Sequence, residues 1–294
     1  MANIIQKAAQ NNKPEVKKQQ GVNTLLNSII DGEGMRKRFD ELLGQRTPQF
    51  LSSIVSLVNA DANLQRAFYE APMTVIQSAL KAATFDLPIE PSLGYAYIVP
   101  FNTKYKDENG EWRTRMEATF IPGYKGLVQL CLRTGAYSRV PDAVDVREGE
   151  LVSYDRLTGD AVFEWEEDED KRETLPVIGY AGYFRLKNGA EKTIYMTVKQ
   201  IQAHEKKNRK GQYMTKGWRD DFDAMARKTV IRRLAGKYGL MSIVYQNADA
   251  DTVKLANEVM QGDYPEADTS DTIPADFVDV DENTGEVIEE AENA

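Results

Sequence analysis

The spacing of apolar residues separates a helical first part of the chain from a second part that mixes strands and helices. Residues 22–86 carry apolar side chains at intervals of three and four, which is the period of an amphipathic helix, with glycines marking the breaks. Thr47 followed by Pro48 predicts a capped helix start, because threonine favours the capping position and proline the first turn. A further helix is predicted from about residue 72 to residue 85.

Further along the chain the pattern becomes alternating, which predicts two strands joined by a charged hairpin. Residues 95–100 and 117–121 form the strands. Residues 104–115 form the hairpin arm, whose Asn-Gly pair is a strong signal for a tight turn. The glycine-flanked segment 122–126 then opens a short helix.

The remaining chain reads as short strands followed by two helices. The predicted strands are 143–147, 151–154, 161–165, 177–186 and 192–196. An acidic run at residues 164–170 is interpreted as a solvated loop. Helices are predicted at about 197–207 and 217–236. From about residue 262 the hydrophobic residues are too sparse for a core, so disorder is expected.

Charge is distributed unevenly, which changes the meaning of the overall net charge of −9. Residues 255–294 hold 13 of the 46 acidic residues and no lysine or arginine, so residues 1–254 keep 33 acidic against 37 basic residues, a net charge of +4. Residues 185–237 alone carry 15 basic against 5 acidic residues. A basic body with a separate acidic end is typical of a protein that handles a polyanion.

Composition excludes several kinds of catalytic site. The chain contains no G-x-x-x-x-G-K-[ST] motif, so Walker-type nucleotide binding is not expected. His204 is the only histidine and Cys131 the only cysteine, which excludes two-histidine metal sites, intrachain disulfides and cysteine zinc sites. No apolar run approaches the roughly twenty residues that cross a bilayer, and the N-terminus lacks a signal peptide. We expect a cytoplasmic protein that uses no cofactor or metal and no membrane.

Three elements carry groups suited to a phosphodiester backbone, and the first is the hairpin arm. Its basic side chains are interleaved with aromatic ones, in the set Lys104, Tyr105, Lys106, Trp112, Arg113 and Arg115. Basic groups neutralise phosphates, and aromatic faces accept stacked bases regardless of sequence. Asp107, Glu108 and Glu111 dilute this charge, so a solvated, mobile hairpin is an equally good interpretation.

The second element is the turn Gly123-Tyr124-Lys125-Gly126 at the start of a predicted helix. The free N–H groups of a helix start suit an anion, and Arg133 follows two turns later. The alternative is a tight connection between strand and helix that needs glycine for close packing.

The third element is the helix 217–236 with the lysine-rich loop before it. The candidate residues are Lys206, Lys207, Lys210 and Lys216 of the loop and Arg227, Lys228, Arg232 and Arg233 of the helix. Apolar residues alternate with these cations, so some arginines must lie near apolar surface. One interpretation is a groove whose guanidinium groups hold phosphates, favoured for at least two of the four helical residues. The other is pairing with carboxylates of the core or of a neighbouring subunit.

Four blocks of the sequence, in order and at compatible spacing, resemble the RecT-type single-strand annealing proteins of phages and prophages. They are Tyr95–Phe101, Phe120–Gly126, Val146–Glu150 and Met225–Leu234. The resemblance implies a non-enzymatic, ATP-independent recombination protein that binds single-stranded DNA, anneals complementary strands and assembles into rings or helical filaments. It further implies a homo-oligomer that binds single-stranded DNA and the annealed duplex, with a cognate exonuclease and a host single-strand-binding protein as additional partners.

With this resemblance, the expected fold is α+β: a curved, mainly antiparallel β-sheet that carries a β-hairpin arm and is backed by helices. Four segments are expected. They are a flexible arm at 1–21, a helical N-terminal part at 22–86 that makes subunit contacts, an α+β DNA-binding core at 87–254, and a mostly disordered acidic tail at 255–294.

A metal-dependent nuclease is the competing interpretation. Glu205-Lys206-Lys207 matches an E-x-K step, but on a predicted helix rather than a strand. Asp220, Asp221 and Asp223 suggest Mg²⁺, although carboxylates also favour the first turn of a helix. A scaffold protein without affinity for oligonucleotides is a third class. The acidic tail either competes with DNA for the basic groove or only solubilises the protein.

Overall fold

The N-terminal part of the protein is a set of five short helices packed around apolar side chains. The computed structural model describes residues 21–32, 34–209 and 212–241. The expectations for residues 1–20, Lys210 and residues 242–294 lie outside these described residues. The helices are α1 (Val22–Ile30), α2 (Met35–Leu43), α3 (Thr47–Ala60), α4 (Ala62–Glu70) and α5 (Pro72–Thr84). Their buried side chains include Leu26, Phe39, Ile54, Phe68 and Ile76.

The start of α3 differs from the prediction. A 3₁₀ turn, Gly44–Arg46, runs directly into the helix, and Thr47 itself has helical backbone angles. A capping residue needs an extended backbone, so Thr47 does not cap. Its hydroxyl instead donates to the carbonyl oxygens of Gly44 at 2.9 Å and Phe39 at 3.2 Å. This buried contact ties α3 to α2.

The hairpin arm is part of one long antiparallel ribbon. Strand β1 (Ala96–Lys106) pairs with β2 (Trp112–Pro122) along their whole lengths, from Ala96 opposite Pro122 to Lys106 opposite Trp112. The strands are longer than predicted because the pairing continues through the charged arm. Gly110, in the turn between them, has φ +79°, a left-handed conformation that favours glycine. Helix α6 (Tyr124–Arg133) follows and stops at Gly135, as predicted.

The other strands form a three-stranded sheet and a small separate pair. Strand β3 (Tyr137–Arg147) lies beside β6 (Val177–Leu186), which pairs with β7 (Glu191–Thr197), and all neighbours are antiparallel. Strands β4 (Leu151–Tyr154) and β5 (Ala161–Phe163) pair with each other. The α+β prediction with antiparallel sheets is confirmed, with the described strands divided among three sheets.

Helices complete the second part of the chain, and two of them correct the prediction. A short helix, α7 (Glu169–Thr174), begins within the last part of the acidic run, where a loop was expected, and Asp168 caps it. Helix α8 (Val198–Asn208) is close to its predicted range. The single helix predicted at 217–236 is two: α9 (Lys216–Asp220) and α10 (Phe222–Tyr238). Asp221 separates them because its carboxylate accepts the N–H of Ala224 at 2.9 Å, which starts a new helix.

Helix α10 packs on one face of the three-stranded sheet. Its side chains Val230 and Leu234 are fully buried, and Gly182 of β6 lies directly beneath them. A Cβ atom at Gly182 would lie 2.6 Å from Cγ1 of Val230. The absence of a side chain at this position therefore sets the distance between helix and sheet. No helix within the described ranges is long and apolar enough to span a membrane.

Gly182→Ala should lower the free energy of unfolding by about 1–3 kcal/mol, because overpacking forces neighbouring side chains or backbone to shift. In a Val230→Ala background the same change should cost much less, since the new methyl group then has room. Chemical denaturation of the two single variants and the double variant measures the coupling between the sites. Additive costs would contradict the proposed contact between Gly182 and Val230.

Candidate nucleic-acid interface

One face of the hairpin arm combines free positive charge with an exposed aromatic ring. Because residues opposite each other in a ribbon share a face, Lys104 lies beside Thr114 and Lys106 beside Trp112. Nζ of Lys106 lies 5.2 Å from the centre of the Trp112 ring, which is 68% exposed. These four residues, called the basic face of the arm, include two cations and no carboxylate.

The opposite face of the arm is already neutralised. Nε of Arg113 lies 2.6 Å from a carboxylate oxygen of Asp107, and Nη2 lies 3.6 Å from Glu111. Arg115 forms an ion pair with Glu117 at 2.6 Å and lies over the ring of Tyr105. A phosphate must compete with these carboxylates for either arginine. Of the arm residues predicted from the sequence, the basic face is therefore better suited to a polyanion.

Asp107 is an acidic residue of the arm whose carboxylate has a structural role. Its carboxylate accepts the N–H groups of Asn109 at 3.0 Å and Glu111 at 2.9 Å, in addition to the Arg113 side chain. The N–H of Glu111 and the guanidinium of Arg113 hold the pKa of Asp107 below its usual value. The carboxylate thus closes the turn that carries the basic face.

The glycines of the segment 123–126 serve close packing. The N–H of Gly123 donates to the carbonyl oxygen of Tyr95 at 2.9 Å. A Cβ atom at Gly123 would lie 2.1 Å from the carbonyl oxygen of Gly94, and one at Gly126 would lie 2.1 Å from that of Tyr95. These contacts favour the interpretation as a tight connection. Tyr124 packs partly into the core, whereas Lys125 is exposed beside it.

Arg133 lies at the surface, but its guanidinium already binds groups of its own fold. Its guanidinium donates to the carbonyl oxygens of Phe85 at 2.8 Å and Asp86 at 2.7 Å, and it lies 3.4 Å from the Asp86 carboxylate. Asp86 has φ +51°, and Arg46 also pairs with its carboxylate at 2.6 Å. Arg133 therefore holds the end of α5 in place, and a phosphate would have to compete with these partners to bind it.

The predicted cations of α10 differ in their exposure to solvent. Arg227 and Arg233 are exposed, Lys228 is half-buried, and Arg232 is only 7% exposed. Because α10 is enclosed by the sheet and by α6, apolar residues surround much of its circumference, which explains its weak amphipathic pattern. Arg232 belongs to the interior, so the expectation that it lines a groove is not supported. The exposure of Arg227 and Arg233 leaves them accessible to a phosphate, and their role in a groove stays a prediction.

The lysine cluster lies at the end of α8 and the start of α9. Lys206, Lys207 and Lys216 are exposed. Glu205, which directly precedes Lys206, is buried and accepts a hydrogen bond from Nε of Arg209 at 2.8 Å. The glutamate of the E-x-K step is thus occupied by a structural ion pair on a helix.

The three aspartates considered for Mg²⁺ also have structural contacts. Asp220 pairs with Arg219 at 2.8 Å, Asp221 caps α10, and Asp223 accepts the hydroxyl of the buried Tyr180. No cluster of three or more His, Cys, Asp or Glu suited to a metal ion occurs within the parts of the chain that the structure describes.

An aromatic groove on the outer face of the three-stranded sheet was missed by the sequence analysis. It encloses about 580 Å³ and is lined by Phe163, Trp165 and Tyr183, among others. The rings of Phe163 and Trp165 stack at 4.9 Å. Alternation in β6 was the available signal for Tyr183, because it places this residue on the face of the sheet opposite Gly182 and α10. Arg139, Asp142 and Glu191 give the groove a rim of mixed charge, which is less suited to a polyanion than the basic face.

A buried ion pair stabilises the segment Val146–Glu150. Glu150 is 1% exposed, and its carboxylate accepts Nε of Arg172 at 2.6 Å and the N–H of Arg147 at 2.7 Å. Burial raises the pKa of Glu150, but the hydrogen bonds from Arg172 and Arg147 outweigh this effect, so its pKa is lowered. The carboxylate is charged at neutral pH and joins β3, α7 and the turn before β4.

Glu150→Gln should therefore destabilise the protein at pH 7, and the difference from the wild type should shrink in acid. A carboxyl whose pKa is lowered by folding stabilises the fold above its unfolded pKa of about 4.3, and this contribution disappears as the pH falls through the folded value. Urea unfolding of both proteins between pH 7 and pH 3 checks the trend. A difference that stays constant or grows in acid would show that Glu150 is not a stabilising carboxylate.

The sequence model of the RecT family matches residues 48–268, about three quarters of the 294 residues. The uncharacterized protein YqaK of Bacillus subtilis (strain 168) is 40% identical over 282 residues, which cover 95% of this chain and 88% of YqaK. The matched range of the family model includes the hairpin arm, α6, α8 and α10.

Proposed function

We propose, from the premise that this chain belongs to the RecT family, that it binds single-stranded DNA through the basic face of its hairpin arm and anneals complementary strands without ATP. Family membership indicates single-strand annealing recombination. The observation that carries the proposal is the basic face itself: Lys104, Lys106 and the exposed Trp112 lie together without a carboxylate.

The chemistry of this face fits a DNA strand of any sequence. Lysine ammonium groups neutralise phosphates and release counterions, which gives affinity that falls with salt. The Trp112 ring offers a flat surface to a base, and such stacking tolerates every base. Neither group reads the hydrogen-bonding edge of a base, so that edge stays available for pairing with a second strand.

Annealing needs no bond to be broken, so a catalytic residue is not required. It needs charge neutralisation between two polyanions, accessible base edges and a surface that keeps long strands in register. We propose that many copies assemble as a ring or helical filament, which would align their arms along one strand. Arg227, Arg233, Lys206, Lys207 and Lys216 are further exposed cations for phosphates on this assembly.

A nuclease is the second candidate function, and its carboxylates argue against it. Glu205 is occupied by Arg209, and Asp220, Asp221 and Asp223 each have a structural contact. Incubation of end-labelled single strands with Mg²⁺ separates the two functions. Intact strands together with faster pairing of complementary oligonucleotides support annealing, whereas cleavage supports a nuclease.

The acidic end of the chain is proposed to regulate this surface and to dock partners. Residues 255–294 carry 13 acidic side chains and no basic ones, so they can compete with DNA for the same cations at low salt. A cognate exonuclease and a host single-strand-binding protein are the proposed partners. Removing residues 262–294 should raise affinity for single strands at low salt, and an unchanged affinity would exclude competition.

Replacing Lys104 and Lys106 together by alanine should weaken binding to single strands of every sequence. Loss of two phosphate contacts should lower the magnitude of the slope of log affinity against log salt by about 1.4. Fluorescence anisotropy with labelled oligonucleotides at several salt concentrations measures both quantities. Arg36→Ala with Lys37→Ala is the matched control, because these exposed α2 cations pair with Asp31 and Glu41. Equal losses in the two double variants would contradict a specific role for the arm.

A further inference from the structure

Side chains of α4 and α5 line the outer edge of strand β2. Glu70 Oε2 accepts the N–H of Met116 at 2.6 Å. Thr74 Oγ1 accepts the N–H of Ala118 at 3.0 Å, and the hydroxyl of Ser78 donates to the carbonyl oxygen of Ala118 at 3.3 Å. The three side chains are spaced four residues apart and face backbone groups that would otherwise pair with a third strand. They act as a ladder of hydrogen bonds between the helices and the ribbon.

This ladder ends where the arm begins. Met116 lies opposite Asn102, and the next pairs on the same face are Lys104 with Thr114 and Lys106 with Trp112. A two-stranded ribbon has little stability of its own, so its direction depends on how it is held at the root. Trp112 is four residues beyond Met116, about 13 Å along a strand, so a rotation of about 10° at the root moves the ring by about 2 Å.

Glu70 makes the contact of this ladder that lies nearest the arm. Its second carboxylate oxygen accepts a hydrogen bond from Nε of Arg66 at 2.6 Å, so the Glu70 side chain is held by two donors. The N–H of Met116 and then the Arg66 guanidinium lower the pKa of Glu70, which keeps the carboxylate charged at neutral pH. Hydrogen bonds to a charged acceptor are shorter and stronger than neutral ones.

We propose that Glu70 is a positioning residue for annealing: through the N–H of Met116 it fixes the angle at which the basic face of the arm meets a DNA strand. This inference rests on the function proposed above, because only that function gives the arm a role. Glu70 itself does not contact DNA in this proposal, because its carboxylate and the phosphates would repel each other. The contact also joins the helical part of the chain to the arm, so a displacement of α4 by a neighbouring copy would be transmitted to Lys104, Lys106 and Trp112.

The direction of the arm is measurable without DNA. Spin labels can be attached at Asn109→Cys in the turn and at Gln77→Cys, an exposed position on α5. Pulsed electron paramagnetic resonance then measures the distance between the arm and the helix. The native Cys131 is buried, which limits its labelling. Glu70→Ala should broaden this distance distribution and slow annealing by about ten-fold, because a ribbon that lacks this contact at its root presents the basic face to DNA in the productive direction less often. In Glu70→Gln, the width of the distance distribution and the annealing rate should stay within about two-fold of the wild type, because an amide oxygen still accepts the N–H of Met116.

Glu41→Ala is the matched control. Glu41 pairs with Lys37 at 3.7 Å on α2 and, like Glu70 with Arg66, spans four residues of a helix. It should leave the arm distance and the annealing rate unchanged. A narrow distance distribution in Glu70→Ala would overturn the proposal, and so would a Glu70→Gln variant as defective as Glu70→Ala.

Thr74→Val provides an independent test if Glu70→Ala does not fold. It removes the hydroxyl that accepts the Ala118 N–H while keeping a branched side chain. A smaller broadening of the same distance is expected, and an unchanged distance would contradict the role of the ladder. A wild-type protein that does not anneal would overturn the function proposed above, while the arm distance would still report on Glu70.

Discussion

The alternation of side chains between the two faces of the β1–β2 ribbon is the constraint on which the proposed interface depends. Near the root, one face buries Ile98, Ala118 and Phe120 in the main core. Farther out, the same face carries Lys104 and Lys106, which are exposed. A single geometric rule thus converts a core-forming strand pair into a projecting arm with positive charge on one side.

The two faces of the arm have different electrostatic tasks. On one face, Asp107 and Glu117 form ion pairs that neutralise Arg113 and Arg115, and Asp107 also closes the turn. On the other face, Lys104 and Lys106 form no ion pair with a carboxylate of the residues that the structure describes. Asp107, one of the acidic residues that dilute the charge of the arm in the sequence, therefore stabilises the shape of the arm and leaves the basic face available. Net charge counted along a segment does not reveal this division, whereas the pairing register does.

Local patterns predicted the fold better than they predicted the site. The hairpin, α6 with its stop at Gly135, and the buried alternation of β6 follow from spacing and turn residues, which act over a few positions. Arg133 could not be assigned in this way, because the carbonyl groups it binds lie 48 and 47 residues earlier in the chain. The burial of Arg232 depends on the packing around α10, which no helical period encodes. The break at Asp221 had a readable signal, since aspartate favours the capping position, but no glycine or proline marked it.

We expect DNA to meet the arm on the side of Trp112 and not on the side of Tyr105. Ultraviolet cross-linking to single strands that contain a halogenated pyrimidine tests it directly, because such a base reacts with the aromatic ring it stacks on. Mass spectrometry of the cross-linked protein should find the label on Trp112, with Tyr105 unlabelled. Labelling of Tyr105 with Trp112 unmodified would contradict the account.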